Sequence, residues 1–255
     1  MIELFSQFSI WTWVSCLAIA FGAGVIKGMV GFAMPMILVS GVGSVLGPEL
    51  ALAGLILPTL VTNGLQALQQ GPSAALTSVR RFRIFLSVGL VMLLASSQLV
   101  TLLPERWFLV GIGAPIVLFA VVQLLGWQPR LSAGHRGTEI GIGAFAGFIG
   151  GMSGVWGPPT VAYLTALGTE KSEQMRVQGV IYGLGAVALT AAHIVSGLFN
   201  SVTFWISVAL LPPALLGMAL GSKLRGRIDQ AGFRRATLAV LLIAGLNLLR
   251  RAVMG

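Results

Sequence analysis

The sequence is poor in charge, in cysteine and in long polar stretches. Only 9% of its 255 residues are charged and 56% are hydrophobic, whereas soluble domains carry roughly 25% charged residues. This balance excludes a sizeable soluble domain and indicates an integral membrane protein. The single cysteine, Cys16, excludes an internal disulfide and a cysteine-based metal cluster, and we expect it to pack in the core or face lipid.

The net charge of +9 comes mainly from basic residues in three short segments, 71–83, 128–138 and 222–236. Such clustering marks cytoplasmic loops of membrane proteins, so we expect no nucleic-acid partner. The chain has no nucleotide-binding motif, and we expect no ATP use and no cofactor. Its start, MIELFSQFS, has no basic region, so no cleaved signal peptide is expected.

Apolar segments near the length of one membrane span alternate with these polar segments. Two of them, 9–46 and 138–168, are too long for one helix and are interrupted by glycine and proline. We expect each to form a broken pair of shorter helices. The other segments predict six single spans: 50–70, 82–103, 107–127, 174–197, 203–223 and 234–253.

The two interruptions are copies of one another. GVIKGMVGFAMP (24–35) and GFIGGMSGVWGP (147–158) share six of twelve residues at an offset of 123, including three glycines and the proline. The sequence therefore predicts an all-α membrane protein with two repeats, 1–128 and 129–255. Each repeat contains a broken pair followed by three spans.

The charge pattern predicts that the second repeat is inverted relative to the first. The three basic segments fall on one side only if each broken pair crosses the membrane an even number of times, as a re-entrant hairpin or as two short spans. Inverted repeats are common among secondary transporters. Arg250 and Arg251 then lie outside, against the charge rule.

Each break predicts an anion site. Irregular backbone in lipid must be buried in protein or line a wet cavity. The helix that follows begins with unpaired amides and a partial positive charge, which bind anions. We count about 13 residues of helix from residue 14 to the first break, or roughly 20 Å. This length places the break near the bilayer midplane if the helix is tilted. We expect both breaks to contribute to one midplane site.

The candidate binding residues come from the breaks and from polar positions on the following spans. Lys27 aligns with Gly150 in the repeat, so it is specific to one half and either pairs with an anion or snorkels to the headgroups. Asn63 with Gln66, and Gln178 with Tyr182, each share a helix face and either bind an oxyanion or join helices. No catalytic residue or metal ligand is expected. The substrate-binding candidates are Lys27, Gly28, Gly31, Pro35, Asn63, Gly151, Ser153, Gly154, Trp156, Gly157, Pro158 and Gln178.

The chain resembles the sulfite exporter TauE/SafE family over nearly its whole length. The resemblance is carried by KGMVGFAMPMILV (27–39), by GGMSGVWGPPTVAYLTALG (150–168) and by RVQGVIYGLGAVALTAAHIVSG (176–197). Many members have a denser glycine run where this chain has Gly31, Phe32 and Ala33. The resemblance implies a multi-pass carrier of the bacterial inner membrane for sulfite or organosulfonates such as sulfoacetate. Expected partners are this small anion and the lipid bilayer, with a homodimer left open.

Two alternatives differ in class from a carrier. One is an anion channel, which ion current would distinguish from slow turnover. The other is a rhomboid-like intramembrane protease, because GMSG (151–154) contains Ser153 and His193 follows 40 residues later. The repeat argues against the protease, since the first copy has Val30 in place of the serine.

The topology is testable by labelling. In a Cys16→Ala background, single cysteines placed in 71–83, 128–138 and 222–236 should all be protected from a membrane-impermeant maleimide in intact cells. They should become reactive after permeabilisation. Labelling of 128–138 from the opposite side to the other two would rule out the inverted repeat.

Overall fold

The computed structural model describes residues 8–97, 105–127, 135–153, 157–195 and 197–254. Every regular element in these ranges is an α-helix, which confirms the predicted all-α class. The helices of the described residues are α1 (Ile10–Val30), α2 (Met34–Leu46), α3 (Pro48–Leu68), α4 (Pro72–Arg81), α5 (Arg83–Ser97), α6 (Glu105–Leu124), α7 (Arg136–Ser153), α8 (Gly157–Ala166), α9 (Lys171–Val195), α10 (Phe204–Gly226) and α11 (Gln230–Met254).

Several of these helices are suited to lipid. Within the described residues, α1, α3, α9, α10 and α11 are long and apolar enough to cross a membrane by length and composition. Large apolar side chains remain exposed, and Val91, Leu118, Leu216 and Ile243 are 64–67% exposed. Such surfaces are stable against hydrocarbon and unfavourable in water. The chain is a multi-pass membrane protein.

The first broken pair forms as predicted. α1 and α2 are joined at residues 31–33, where Gly31 has a φ of 90° and donates its N–H to the Lys27 carbonyl at 2.7 Å. Glycine adopts this left-handed backbone without a steric penalty. Pro35 lies in the first turn of α2, where a missing N–H is tolerated.

The second broken pair consists of α7 and α8. Pro158 and Pro159 lie in the first turn of α8, as expected for helix-starting prolines. The joining residues 154–156 lie outside the described ranges.

Two features differ from the sequence prediction. α1 begins at Ile10 and not near residue 14, and its 21 residues make it roughly 31 Å long, enough to span a hydrocarbon core. The midplane position of the break stays a prediction. In addition, the basic segment 71–83 was expected to be a loop but contains the helix α4.

The chain divides into two compact units that do not follow the sequence halves. Unit 1 combines residues 1–75 with 175–228, and unit 2 combines 76–174 with 229–255. Each unit therefore contains helices from both predicted repeats. The repeat boundary at residue 128 stays a prediction from the sequence.

In unit 1, α1 and α10 pack with their backbones in contact. A Cβ atom at Gly24 or Gly28 of α1 would overlap the backbone of α10 near Ala214 and Met218. Gly217 and Gly221 of α10 meet α1 in the same way. Membrane helices approach this closely only through small residues. Behind this contact lies an apolar core of unit 1 formed by Cys16, Ala20, Ala23, Met34, Leu38, Val42, Leu46, Ala51, Leu55, Ile206, Leu210 and Ala214.

A proline inside α3 is compensated by α10. Pro58 has no N–H, so the carbonyl of Gly54 loses its helical donor. Ser207 Oγ donates to this carbonyl at 3.0 Å and accepts from Leu57 N at 2.9 Å. Ser207 is fully buried, and its hydroxyl satisfies backbone groups that lipid cannot.

Unit 2 contains a glycine contact of the same kind. Cβ atoms at Gly143 and Gly147 of α7 would press on the backbone of α5 at Phe85 and Gly89. The carboxylate of Glu139 on α7 accepts from Phe85 N at 3.2 Å, and a negative group is favourable at this helix N-terminus.

Three helix ends of unit 2 lie side by side. Gln230, at the start of α11, accepts from Lys171 N at 2.9 Å and donates to the Thr169 carbonyl at 3.1 Å. Arg234 of α11 donates to Gln123 of α6. The end of the second broken pair therefore lies beside the end of α6 and the start of α11.

Ser207→Ala should destabilise the protein by about 1–3 kcal/mol, because it leaves the buried Gly54 carbonyl without a donor. Denaturation of the purified protein in mixed micelles measures this loss. Ser15→Ala is the matched control, because Ser15 is exposed and bonds only within its own helix, to Trp11 O. Equal midpoints for the two variants would contradict the role given to Ser207.

Candidate functional site

The first break of unit 1 is surrounded by polar side chains from three helices. Lys27 lies on α1 one turn before the break, Asn63 and Gln66 lie on α3, and Gln178 lies on α9. All four are at most 1% exposed. This buried cluster of polar side chains around the break is the Lys27 pocket. The sequence predicted Lys27, Asn63 and Gln178 as binding residues and Gln66 as a companion of Asn63, and the structure places all four in one unit.

Lys27 is a buried cation with a neutral partner. Its Nζ donates to Asn63 Oδ1, and in the described part of the chain it has no other hydrogen bond and no carboxylate within salt-bridge distance. Burial of an ammonium without a counter-charge is costly. Since Nζ is held inside the unit, this lysine does not snorkel to the headgroups.

Gln66 holds the break in place. Its Nε2 donates to the Gly31 carbonyl at 3.1 Å and to the Met175 carbonyl of α9 at 2.8 Å. These two acceptors fix the orientation of the amide. Its Oε1 is buried and meets no donor among the described residues.

Gly31 is required for space as well as for its backbone angle. A Cβ atom there would overlap Gln178 Oε1 and lie 2.8 Å from Met175 Sδ. The absence of a side chain therefore lets α9 approach the break. This is the close approach that the sequence predicted for the glycines, with α9 in contact.

The N-terminus of α2 contributes backbone donors. In the described structure, the amides of Ala33, Met34 and Met36 have no acceptor, and Ala33 and Met34 are buried. Pro35 removes the fourth donor that an ordinary helix would offer. Three N–H groups and the positive end of the helix dipole therefore follow the break directly.

Gly28 serves helix packing instead of the pocket. It faces α10, and its carbonyl accepts from Arg225 Nη1 at 3.2 Å. Arg225 Nη2 also reaches Gln69 Oε1 at 3.4 Å. The sequence identified Arg225 only as a marker of topology, and no local pattern pointed to this bridge.

The pocket lies nearer the basic segments than the centre of the helices. Asn63 lies five residues before the end of α3, and Gln178 lies seven residues after the start of α9. At 1.5 Å per residue these depths are roughly 8 and 10 Å. The end of α3 leads into 71–83 and the end of α10 into 222–236.

The candidates around the second break lie in unit 2. Gly151 and Ser153 lie in α7, and Gly157 and Pro158 lie in α8. Gly154 and Trp156 lie outside the described residues. Pro158 and Pro159 remove two N–H groups from the first turn of α8, so it offers fewer donors than the four expected. A site shared by both breaks stays a prediction.

Comparison with known families identifies the class of protein. A family model described as sulfite exporter TauE/SafE matches residues 16–248. The chain belongs to the TauE/SafE family. This family contains membrane transporters and not enzymes, so the protease alternative based on Ser153 and His193 has no support. No curated protein and no solved structure is significantly similar to the chain.

Gly31→Leu should abolish transport, because the side chain would overlap Gln178 and force a non-glycine residue to a φ of 90°. Anion flux into proteoliposomes is the measurement. Gly22→Leu is the matched control on the same helix, because nothing lies within 4 Å of a Cβ atom at Gly22. Normal flux in a correctly inserted Gly31→Leu variant would show that the break does not shape the transport site.

Proposed function

We propose that the protein is a secondary transporter that exports a small sulfur oxyanion or organosulfonate across the bacterial inner membrane. The observation that carries this proposal is Lys27, a fully buried ammonium whose partner in the described chain is the neutral Asn63. Such a group is expensive in a membrane unless it has a function. Family membership supports the substrate class.

An anion beside Lys27 supplies the counter-charge that the described residues lack. Asn63 orients the ammonium and leaves two of its three N–H donors for the ligand. The free amides at the start of α2 are a further set of donors near the same break. Charge-assisted hydrogen bonds of this kind replace the hydration shell of an oxyanion.

The packing inside each unit supports the inverted repeat. If the halves correspond, α1 corresponds to α7 and α5 to α10. The pairing of α1 with α10 in unit 1 is then the counterpart of the pairing of α7 with α5 in unit 2. In both pairings the first helix of a broken pair packs its glycines on a helix of the other half. Rocking of one repeat against the other would give alternating access.

The position of helix ends in unit 2 supports an even number of crossings by the second broken pair. Thr169 follows this pair and lies at Gln230, next to the basic segment 222–236. The pair itself begins at Arg136, within the basic segment 128–138. Both ends of the pair are therefore associated with segments assigned to the cytoplasm.

The second break contributes less to anion binding in this proposal. It has Gly150 where the first has Lys27, and its two prolines remove amides. The main binding groups are those of unit 1. Its pocket lies closer to the basic segments than to the middle of α3 and α9. A homodimer stays a prediction.

The substrate class is tested by flux into proteoliposomes with sulfite, sulfoacetate, sulfate and an uncharged solute of similar size. Sulfite or sulfoacetate should move fastest and should compete with one another. Saturable turnover without a large ion current distinguishes a carrier from a channel. Equal movement of the uncharged solute would overturn the anion assignment.

Lys27→Met should raise the Kd for the transported anion by roughly 10- to 100-fold, the equivalent of one lost charge-assisted hydrogen bond. Some turnover should remain, because the α2 amides are unchanged. The double variant Lys27→Met/Asn63→Leu removes both partners of the buried bond, so it should be as stable as the parent or more stable. A double variant that is much less stable, or a Lys27→Met variant with parental affinity, would assign Lys27 a structural role.

A further inference from the structure

The C-terminus of α1 lies at the same break as the Lys27 pocket. α1 ends at Val30 and α2 begins at Met34, so a helix C-terminus and a helix N-terminus meet there. The last carbonyls of a helix have no intrahelical donor and carry a partial negative charge. Lys27 itself lies in the last turn of α1. The end of α1 therefore opposes the binding of an anion beside Lys27 unless another group compensates it.

A cation from another helix binds one of these last carbonyls. In the described structure no backbone N–H donates to the carbonyl of Gly28. Arg225, near the end of α10, donates from Nη1 to this oxygen at 3.2 Å. By contrast, the preceding carbonyl of Lys27 accepts from the neutral N–H of Gly31. The C-terminus of α1 is therefore capped by a charged group, which is the favourable sign for this end of a helix.

The guanidinium of Arg225 keeps its full charge. Its second acceptor is the amide oxygen of Gln69, which Nη2 reaches at 3.4 Å, so both of its acceptors are neutral. Among the described residues no carboxylate lies within salt-bridge distance of Arg225. Since Gly28 directly follows Lys27 in α1, this uncompensated charge is bound to the backbone next to the pocket lysine.

We propose that Arg225 is a specificity-determining residue of the Lys27 pocket, which acts through the end of α1 and not by contact with the anion. This inference rests on the proposed transport function. The positive charge cancels the negative C-terminus of α1, so an anion at the break is attracted by Lys27 and by the start of α2 without an opposing field. A neutral donor would satisfy the Gly28 carbonyl but would leave the helix dipole uncompensated.

The first test neutralises Arg225 without replacing it. Gln69→Glu turns the neutral acceptor into a carboxylate, so Arg225 keeps its bond to Gly28 and gains a counter-charge. In calorimetric titrations of the purified protein with sulfite and with sulfoacetate, the Kd should rise roughly 3- to 30-fold at low salt. Gln70→Glu is the matched control, because it makes the same change on the next, exposed residue. Its Kd should change less than about twofold, since water and ions screen an exposed charge.

The second test separates charge from hydrogen bonding. Arg225→Gln keeps an N–H donor but removes the charge, so it should raise the Kd by a similar factor, and the difference from the parent should shrink as salt is added. Arg225→Lys keeps the charge and should bind nearly as the parent does. Arg227→Gln is the control, because it removes one positive charge from an exposed residue of the same segment. The denaturation midpoint of each variant is measured alongside.

The outcomes separate this inference from the transport proposal. Parental affinity in a folded Arg225→Gln or in Gln69→Glu would overturn it. Equal losses in Arg225→Gln and Arg225→Lys would also overturn it, because they indicate a structural cap whose charge is irrelevant. If Arg225→Gln does not fold, Gln69→Glu decides. In these cases the parent still binds the anion and the transport proposal stands, whereas a parent that binds neither sulfite nor sulfoacetate contradicts both.

Discussion

A helix that breaks inside a membrane exposes backbone groups that lipid cannot hydrogen-bond, and unit 1 is organised around this constraint. Gly31 illustrates how it is met, because its N–H is bound by the Lys27 carbonyl and its own carbonyl by Gln66. The same Gln66 amide ties α9 to the break through Met175. The backbone groups left over are donors in the first turn of α2. These donors are the basis of the proposed preference for anions.

Close helix packing makes this arrangement possible. The glycines of α1 and α10 let the two helix backbones touch. In lipid the hydrophobic effect does not drive helices together, so close van der Waals packing of this kind stabilises their association. Gly28 and Gly31 are three residues apart and have different tasks. Gly28 lets α1 contact the backbone of α10, whereas Gly31 leaves room for the side chain of Gln178. A motif of spaced glycines thus combines a structural contact with a contact at the pocket.

The sequence predicted the features that local chemistry determines. Glycine and proline located the breaks, and Pro35 and Pro158 marked the starts of α2 and α8 because their missing N–H is tolerated only there. Polar residues in apolar spans identified Lys27, Asn63 and Gln178. Contacts between distant segments were not predictable, because no local pattern encodes which helix lies opposite. Examples are the hydrogen bond from Arg225 to the Gly28 carbonyl and the bond from Ser207 to the carbonyl that Pro58 leaves without a donor. Another is the presence of helices from both sequence halves in each unit.

The two copies of the break have diverged in a way that electrostatics explains. The repeated glycines and proline are residues that suit a helix break, as Gly31 and Pro35 do in the first copy. Lys27 has Gly150 as its counterpart, so the cation is present only once. Lys27 lies one turn before the end of α1, and burial of an ammonium in a membrane is costly unless it has a function. A second ammonium would add a further insertion cost and require its own counter-charge. The two copies of the motif therefore share the residues that suit a helix break, while the buried cation is present in one copy.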